Sequence, residues 1–317
     1  MPMLTRATTP VSRETGHLPQ TTRSPRLSPP LGEPQTGTKP FRAVSPRKIT
    51  AMRIPLLHVD AFTKQPFTGN PAAVCPLNSW LDDELLRKVA AENNISETAF
   101  FVPRAHDYDL RWFAPRGEVR LCGHATLASA YVVLKLLRPE LEAIRFETRH
   151  SGTLTVRKNG ELFSMDFPAL CAKPCVNPVD ELIGALNPGP RPSQVFEAND
   201  TYIAVYDSQA AVQNMRPDFA RLERLHPYTV AVTAPGEEEE VDFVSRYFKP
   251  SYGMPEDPVT GSAHCALTPY WAERSGKSRL HARQLSERGG ELWCEMAGER
   301  VILKGHAVLV MKGTLVI

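Results

Sequence analysis

The spacing of apolar residues divides the chain near residue 52. Beyond it, apolar or alternating runs recur at strand length, broken by glycine, proline and asparagine. Residues 55–61 read as a first strand, Phe67-Thr68-Gly69-Asn70-Pro71 as a turn, and 72–75 as a second strand. Leu81, Leu85 and Val89, with Leu86 and Ala90 beside them, have core-facing helical spacing. Ser79 is the expected N-cap and Asn93-Asn94 the stop. Strands are predicted over 95–102 and from Asp109 through Arg111-Trp112-Phe113. Residues 127–137, apolar nearly all round, predict a buried central helix. Residues 146–167 read as strands joined at Gly152 and at Lys158-Asn159-Gly160. Proline-rich 168–192 reads as a linker, and 215–225 as a modest helix. Further strands are expected over 199–206, 228–233, 241–248, 292–296, 300–304, 307–311 and 314–317.

One stretch repeats another. Arg111-Trp112-Phe113-Ala114-Pro115 matches Arg246-Tyr247-Phe248-Lys249-Pro250, 135 residues later. Glu118 stands five residues before Gly123, as Glu256 stands five before Gly261. Gly123-His124-Ala125 and Gly261-Ser262-Ala263 each open an apolar run, although Pro269 should kink or shorten the second one, 263–274. Between Arg246 and Gly261, Pro250, Gly253, Pro255 and Pro258 forbid regular structure. This spacing predicts a duplicated unit, two similar domains facing each other. A glycine turn feeding a helix leaves free N–H groups aimed at one spot, a ready anion site.

Charge sharpens the division at residue 52. The net charge is +2, but residues 1–53 hold nine Lys/Arg against Glu14 and Glu33, so the remainder carries 28 basic and 33 acidic residues. A mildly acidic body argues against a nucleic-acid-binding protein. Residues 1–52, rich in Pro, Ser and Arg, bury too little apolar surface to offset ordering entropy and are expected to be disordered. Their prolines spoil the amphipathic helix of a transit peptide, and they lack the apolar stretch of a secretory signal. No run reaches the length of a membrane helix. Six scattered cysteines, with no paired CxxC or histidine cluster, point to reduced thiols of a cytoplasmic protein without a zinc site. There is no Walker or G-x-G-x-x-G sequence to mark a nucleotide site. The run Gly236-Glu237-Glu238-Glu239-Glu240 reads as an exposed acidic tip.

Glu97, at the start of a predicted strand among Ile95, Ala99, Phe100 and Phe101, has two readings. It is exposed or salt-bridged, or it is buried without a cation and its pKa rises toward neutrality, as suits a general acid/base.

Three motifs in order carry a resemblance: Ile95-Ser96-Glu97-Thr98-Ala99-Phe100, Leu121-Cys122-Gly123-His124-Ala125-Thr126, and Glu256-Asp257-Pro258-Val259-Thr260-Gly261-Ser262-Ala263-His264. Together they resemble the PhzF family, most of all its animal branch, from about Met52 to the C-terminus. The resemblance implies an α/β (α+β) fold of the diaminopimelate epimerase type. Its two pseudo-symmetric domains each curl a mixed β-sheet around a central helix, with the active site in the cleft between them. Here they are expected over 53–168 and 169–317, the last strand pairing back with the first domain. Glu97 matches the family's catalytic glutamate; Ser96, Gly123, His124, Asp257, Gly261 and Ser262 match its substrate-binding positions. Asp257 is expected to orient His124 or to bind a substrate amine or hydroxyl. Diaminopimelate epimerases use two opposed thiols, and here the first position matches Cys122 but the second Gly261. Cys122 is then a second acid/base or a small buried residue at a turn. The activity implied is a cofactor-independent isomerase that moves a proton on a small carboxylate, in a protein that forms homodimers. A catalytically silent scaffold with a WD-repeat protein partner, and a thiol-based epimerase, are the competing readings. The joint presence of Ser96, Glu97, His124 and Asp257 favours the enzyme.

Overall fold

The order in which strands pair repeats along the chain. The computed structural model describes residues 51–175, 180–186 and 189–317; the expectation of disorder lies outside them, apart from Ala51 and Met52. Met52 belongs to the body, exchanging two backbone hydrogen bonds with Ile317. The first series comprises β1 (Arg53–Ala61), β2 (Asn70–Pro76), β3 (Glu97–Arg104), β4 (Asp107–Ala114), β5 (Gly117–Val119), β6 (Ala143–Thr148), β7 (Gly152–Asn159) and β8 (Leu162–Pro168). Its helices are α1 (Asp83–Asn93) and α2 (Gly123–Tyr131), the latter running on as a π-helical turn, Val132–Leu137.

The second series comprises β9 (Lys173–Pro174), β10 (Gln194–Ala198), β11 (Thr201–Val205), β12 (Thr229–Pro235), β13 (Phe243–Lys249), β14 (Met254–Asp257), β15 (Arg279–Gln284), β16 (Gly290–Ala297), β17 (Arg300–Gly305) and β18 (Ala307–Val316). Its helices are α3 (Asp180–Ala185), α4 (Gln209–Gln213), α5 (Phe219–Glu223) and α6 (Gly261–Ser275).

In each series neighbouring strands are antiparallel except at two corresponding places. β2 and β3 are parallel, as are β11 and β12; β4 and β6 are parallel, as are β13 and β15. Parallel neighbours need a crossover, and helices supply it: α1 and α4–α5 at the first place, α2 and α6 at the second. β8 pairs with β17 and joins the two sheets, and β18 returns to pair with β1. The result is two pseudo-symmetric halves with mixed sheets, α2 packing on β1, β2, β3, β8 and β18, and α6 on β15, β16 and β17.

Burial explains why these two helices are central. Residues 124–130 of α2 are all buried, and one apolar core runs through both halves, from Leu127 and Phe163 to Trp271 and Leu303. A helix apolar on every side is stable only when surrounded. Outlying cores lie beneath α1 and beneath α3–α5. Among the described residues no helix is long and apolar enough to cross a membrane.

Several local expectations are corrected. Asp82, not Ser79, caps α1, its carboxylate accepting from the Glu84 N–H. Leu136 and Leu137 are exposed, because the π-helical turn carries them off the sheet. Of the 215–225 helix only α5 forms, starting after Pro217 with Asp218 as its cap, and α4 precedes the predicted span. The supposed linker holds β9 and α3. A short strand, β14, forms between Gly253 and Pro258. The last two predicted strands are one, β18, which Gly313 does not interrupt because β1 pairs along its length. Pro269 lies inside α6 without ending it. The carbonyl that Pro269 cannot bond, that of Cys265, accepts the Leu170 N–H at 2.9 Å instead.

Candidate active site

Gly123 and Gly261 bring the two halves together. A Cβ built on Gly123 would lie 3.9 Å from the Gly261 Cα, and nothing nearer than 3.7 Å meets one built on Gly261. Each glycine is the first residue of a central helix, and neither N-cap, Cys122 nor Thr260, caps its helix through its side chain. The first N–H groups of α2 and α6 are therefore left for another acceptor. Cys122 and Thr260 hold equivalent N-cap positions, so the counterpart of the Cys122 thiol is the Thr260 hydroxyl rather than Gly261.

A cavity of about 370 Å³ opens at this junction, lined by Glu97, Cys122, Gly123, His124, Lys249, Asp257, Gly261 and Ser262 among others. Ser96 is buried beside it and does not line it, whereas Ser262 is exposed on the first turn of α6. A wider cavity, about 430 Å³, lies between residues 62–68 and 283–291 and contains none of these side chains.

Glu97 begins β3, where parallel pairing with Ala72 of β2 fixes it at the sheet's end. Its Oε2 approaches His124 Nε2 to 3.1 Å, an ion pair outside strict hydrogen-bond alignment among the described residues. Burial alone would raise the Glu97 pKa; His124, Lys249 and Cys122 outweigh it and bring it down to about 2. Of the two readings the salt-bridged one holds, with the carboxylate buried all the same: cations stand beside it, and the rise that burial alone would cause is reversed. Burial would lower His124, and Cys122 and Glu97 more than reverse that, so the imidazole sits well above its usual range. The Cys122 thiol, 3.5 Å from His124 Nδ1, is pushed up by burial and by Glu97 and stays neutral. At neutral pH the centre is a carboxylate, an imidazolium and a thiol.

Asp257 does not orient His124. It ends β14, where its Oδ1 meets Lys249 Nζ at 3.3 Å and accepts from Asn70 Nδ2 at 3.2 Å. Its Oδ2 accepts from the Thr260 hydroxyl at 2.5 Å. Gln284 fixes the same turn: its Nε2 donates to the Asp257 carbonyl, and its Oε1 accepts from the Thr260 N–H. Sequence reading missed Asn70, Lys249, Thr260 and Gln284 as site residues. Asn70 reads as part of a Gly-Asn-Pro turn, and a lysine on a strand has no local mark of burial. Glu97, Cys122 and His124 each present a donor atom within 4.8 Å of the others, so these three could also hold a metal ion.

The repeated Arg and Glu residues form matching supports behind the site. Arg111 binds Glu118 through two bonds of 2.8 Å, and Arg246 binds Glu256 at 2.7 and 2.8 Å. Each guanidinium lies 5.0 Å from the ring of the phenylalanine two residues on, Phe113 or Phe248.

The family model PhzC-PhzF, described as phenazine biosynthesis-like protein, matches residues 59–313. An uncharacterized isomerase of Pseudomonas aeruginosa is 52% identical over 264 residues, covering 83% of this chain and 99% of its own. The phenazine biosynthesis-like domain-containing protein of Bos taurus is 39% identical over 288 residues, covering 83% and 99%. The crystal structure of a PhzF-family protein of Enterococcus faecalis matches with a TM-score of 0.79 at 41% identity, covering 83% of this chain and 99% of that one. A hydroxyproline epimerase of Agrobacterium vitis shares the fold alone, with a TM-score of 0.52 at 10% identity, over 84% of this chain and 93% of that one.

Proposed function

The chain belongs to the PhzF family of phenazine biosynthesis-like proteins, and from that premise we propose that it is a cofactor-independent isomerase acting on a small carboxylate, with Glu97 as general acid/base. The observation that carries this reading is the placement of the Glu97 carboxylate in one cavity with both uncapped helix starts. The name of the Pseudomonas aeruginosa relative supports the reaction class.

The substrate carboxylate lies in the cavity against the first turns of α2 and α6, where backbone N–H groups and two helix dipoles favour negative charge. Because neither glycine has a side chain, a ligand reaches the backbone directly. Glu97, ionised at neutral pH, takes a proton from carbon beside an electron-withdrawing group. The C–H electron pair enters the conjugated system, and preorganised N–H donors hold the charge that gathers on oxygen. Glu97 then returns the proton elsewhere on the same system, which shifts the double bond. Imidazolium His124 keeps Glu97 ionised and oriented. Cys122, being neutral, could act only as a donor in its resting state. The halves 53–168 and 169–317 supply opposite walls, Glu97 and His124 from the first, Asp257 and Gly261 from the second.

Solvent-deuterium incorporation tests this. The protein and its Glu97→Gln variant are incubated in D₂O with a panel of amino, hydroxy and oxo acids and read by mass spectrometry. Label is expected with the wild type, and a rate at least about 100-fold lower in the variant. Equal labelling by both would remove Glu97 from the mechanism, and no label from any compound would favour a silent binding protein.

A further inference from the structure

Lys249 ends β13 with its ammonium on the cavity wall and its side chain 21% exposed. Asp257 engages it at 3.3 Å, but that carboxylate is already shared: Oδ1 takes the Asn70 amide and Oδ2 the Thr260 hydroxyl. Asp257 therefore occupies at most one of three N–H donors, and no other described acceptor lies in hydrogen-bond geometry with Nζ. Burial would lower its pKa; Asp257 and Glu97 more than reverse this, so the group remains a fixed cation. The same wall presents Glu97, whose carboxylate has more lone pairs than His124 can occupy. A charged donor with spare N–H groups thus shares one cavity with a base that has spare lone pairs.

We infer that Lys249 is an electrophilic residue of this site, holding a second substrate oxygen on which negative charge grows as Glu97 removes the proton. The inference rests on the reading of the cavity as the active site and narrows its substrate class. The helix starts of α2 and α6 take one carboxylate. Lys249 takes the oxygen of a carbonyl or second carboxyl group conjugated with the carbon that loses its proton. In the step, the C–H bond breaks and its proton passes to the Glu97 carboxylate. The released pair forms a C=C bond, and the C=O π pair moves onto the oxygen facing Lys249. Return of the proton to carbon reverses the charge shift, so no oxidant or co-reactant is needed. A buried ammonium stabilises such developing charge more than a solvated one does.

Calorimetric titration of the full chain with oxalate and with acetate tests this, since oxalate carries the second oxygen charge permanently and acetate lacks it. The wild type should bind oxalate at least about tenfold more tightly than acetate. Lys249→Met should keep acetate binding and lose most of that preference, and Lys249→Arg should retain part of it. Should Lys249→Met fail to fold, Lys249→Gln replaces it under the same expectation. An equal oxalate preference in wild type and the Lys249 variant would overturn the inference. Acetate binding by the wild type without an oxalate preference would sink the role of Lys249 alone. Failure to bind either anion would overturn the cavity reading along with it.

Discussion

Asn70 and Asp257 stand 187 residues apart in the chain and share a buried hydrogen bond, Nδ2 to Oδ1 at 3.2 Å. The same amide donates to the Val259 carbonyl at 2.8 Å, so one side chain from the first half fixes the turn that carries Asp257 in the second. Asn70→Ala would leave both acceptors short of a donor, at a cost of about 1–3 kcal/mol. The melting temperature should fall by roughly 2–10 °C by calorimetry. An unchanged transition would show that the turn holds itself. Asn70→Asp should be worse, because it sets a carboxylate against Asp257.

The Glu97–His124 pair predicts a pH signature. The folded Glu97 value, about 2, lies below the ordinary 4.5, so its contribution is whole above pH 4.5 and fades as pH falls toward 2. His124 is raised above the ordinary 6.5, so its contribution is whole below pH 6.5 and is lost as pH rises through the raised value. Both are fully present between pH 4.5 and 6.5, where stability from this pair should be flat. Because Cys122 is neutral there, Glu97 supplies the anion. Glu97→Gln should therefore move the His124 titration to lower pH, as followed by NMR of the imidazole. An unmoved midpoint would mean that another group holds the imidazolium.

Gly261→Ala should separate folding from ligand binding. The added Cβ meets only ordinary contacts, at 3.7 Å from Leu303 and 4.0 Å from Gly123. Stability should hold or rise by about 0.4–1 kcal/mol, since alanine restricts the unfolded chain. The methyl group nonetheless fills the approach between the two helix starts, so carboxylate binding should weaken at least about tenfold by titration calorimetry. A large loss of melting temperature with intact binding would contradict this assignment.

Arg246 and Arg149 should differ in consequence. Arg246 is buried, forked onto Glu256, and donates to the Val212 and Met215 carbonyls. Arg246→Ala leaves all of these uncompensated and should cost about 3 kcal/mol by denaturant unfolding. Arg149, 47% exposed, pairs with Asp83 and Glu118 at the surface, and Arg149→Ala should cost under about 1 kcal/mol. Equal effects would mean that burial does not set the worth of these pairs.

The sequence by itself determined the duplication and the pieces of each unit. The Arg-aromatic-Phe pattern, the glutamate five residues before each glycine, and the apolar helices that follow are local features. Backbone preference and apolar periodicity act over a few residues, so these survive without a partner in view. Short helices fared worse where one residue decides the boundary, as the cap Asp218 does at the start of α5. Pro269 was misread for a different reason: the acceptor it orphans is satisfied by Leu170, about a hundred residues earlier in the chain.

Tertiary structure alone decided the electrostatics. Glu97 in isolation allows opposite pKa shifts, and only the arrival of His124 and Lys249 beside it selects the lowered one. Asn70 carries no local mark of function because its partners, Asp257 and Val259, come from distant chain, and Lys249 carries none because the Glu97 whose cavity it shares lies in the other half. Charges interact through space in a medium of low polarity, over distances that sequence separation does not encode. The chain specified which groups the site would contain, and the docking of two half-sheets specified how they act on one another.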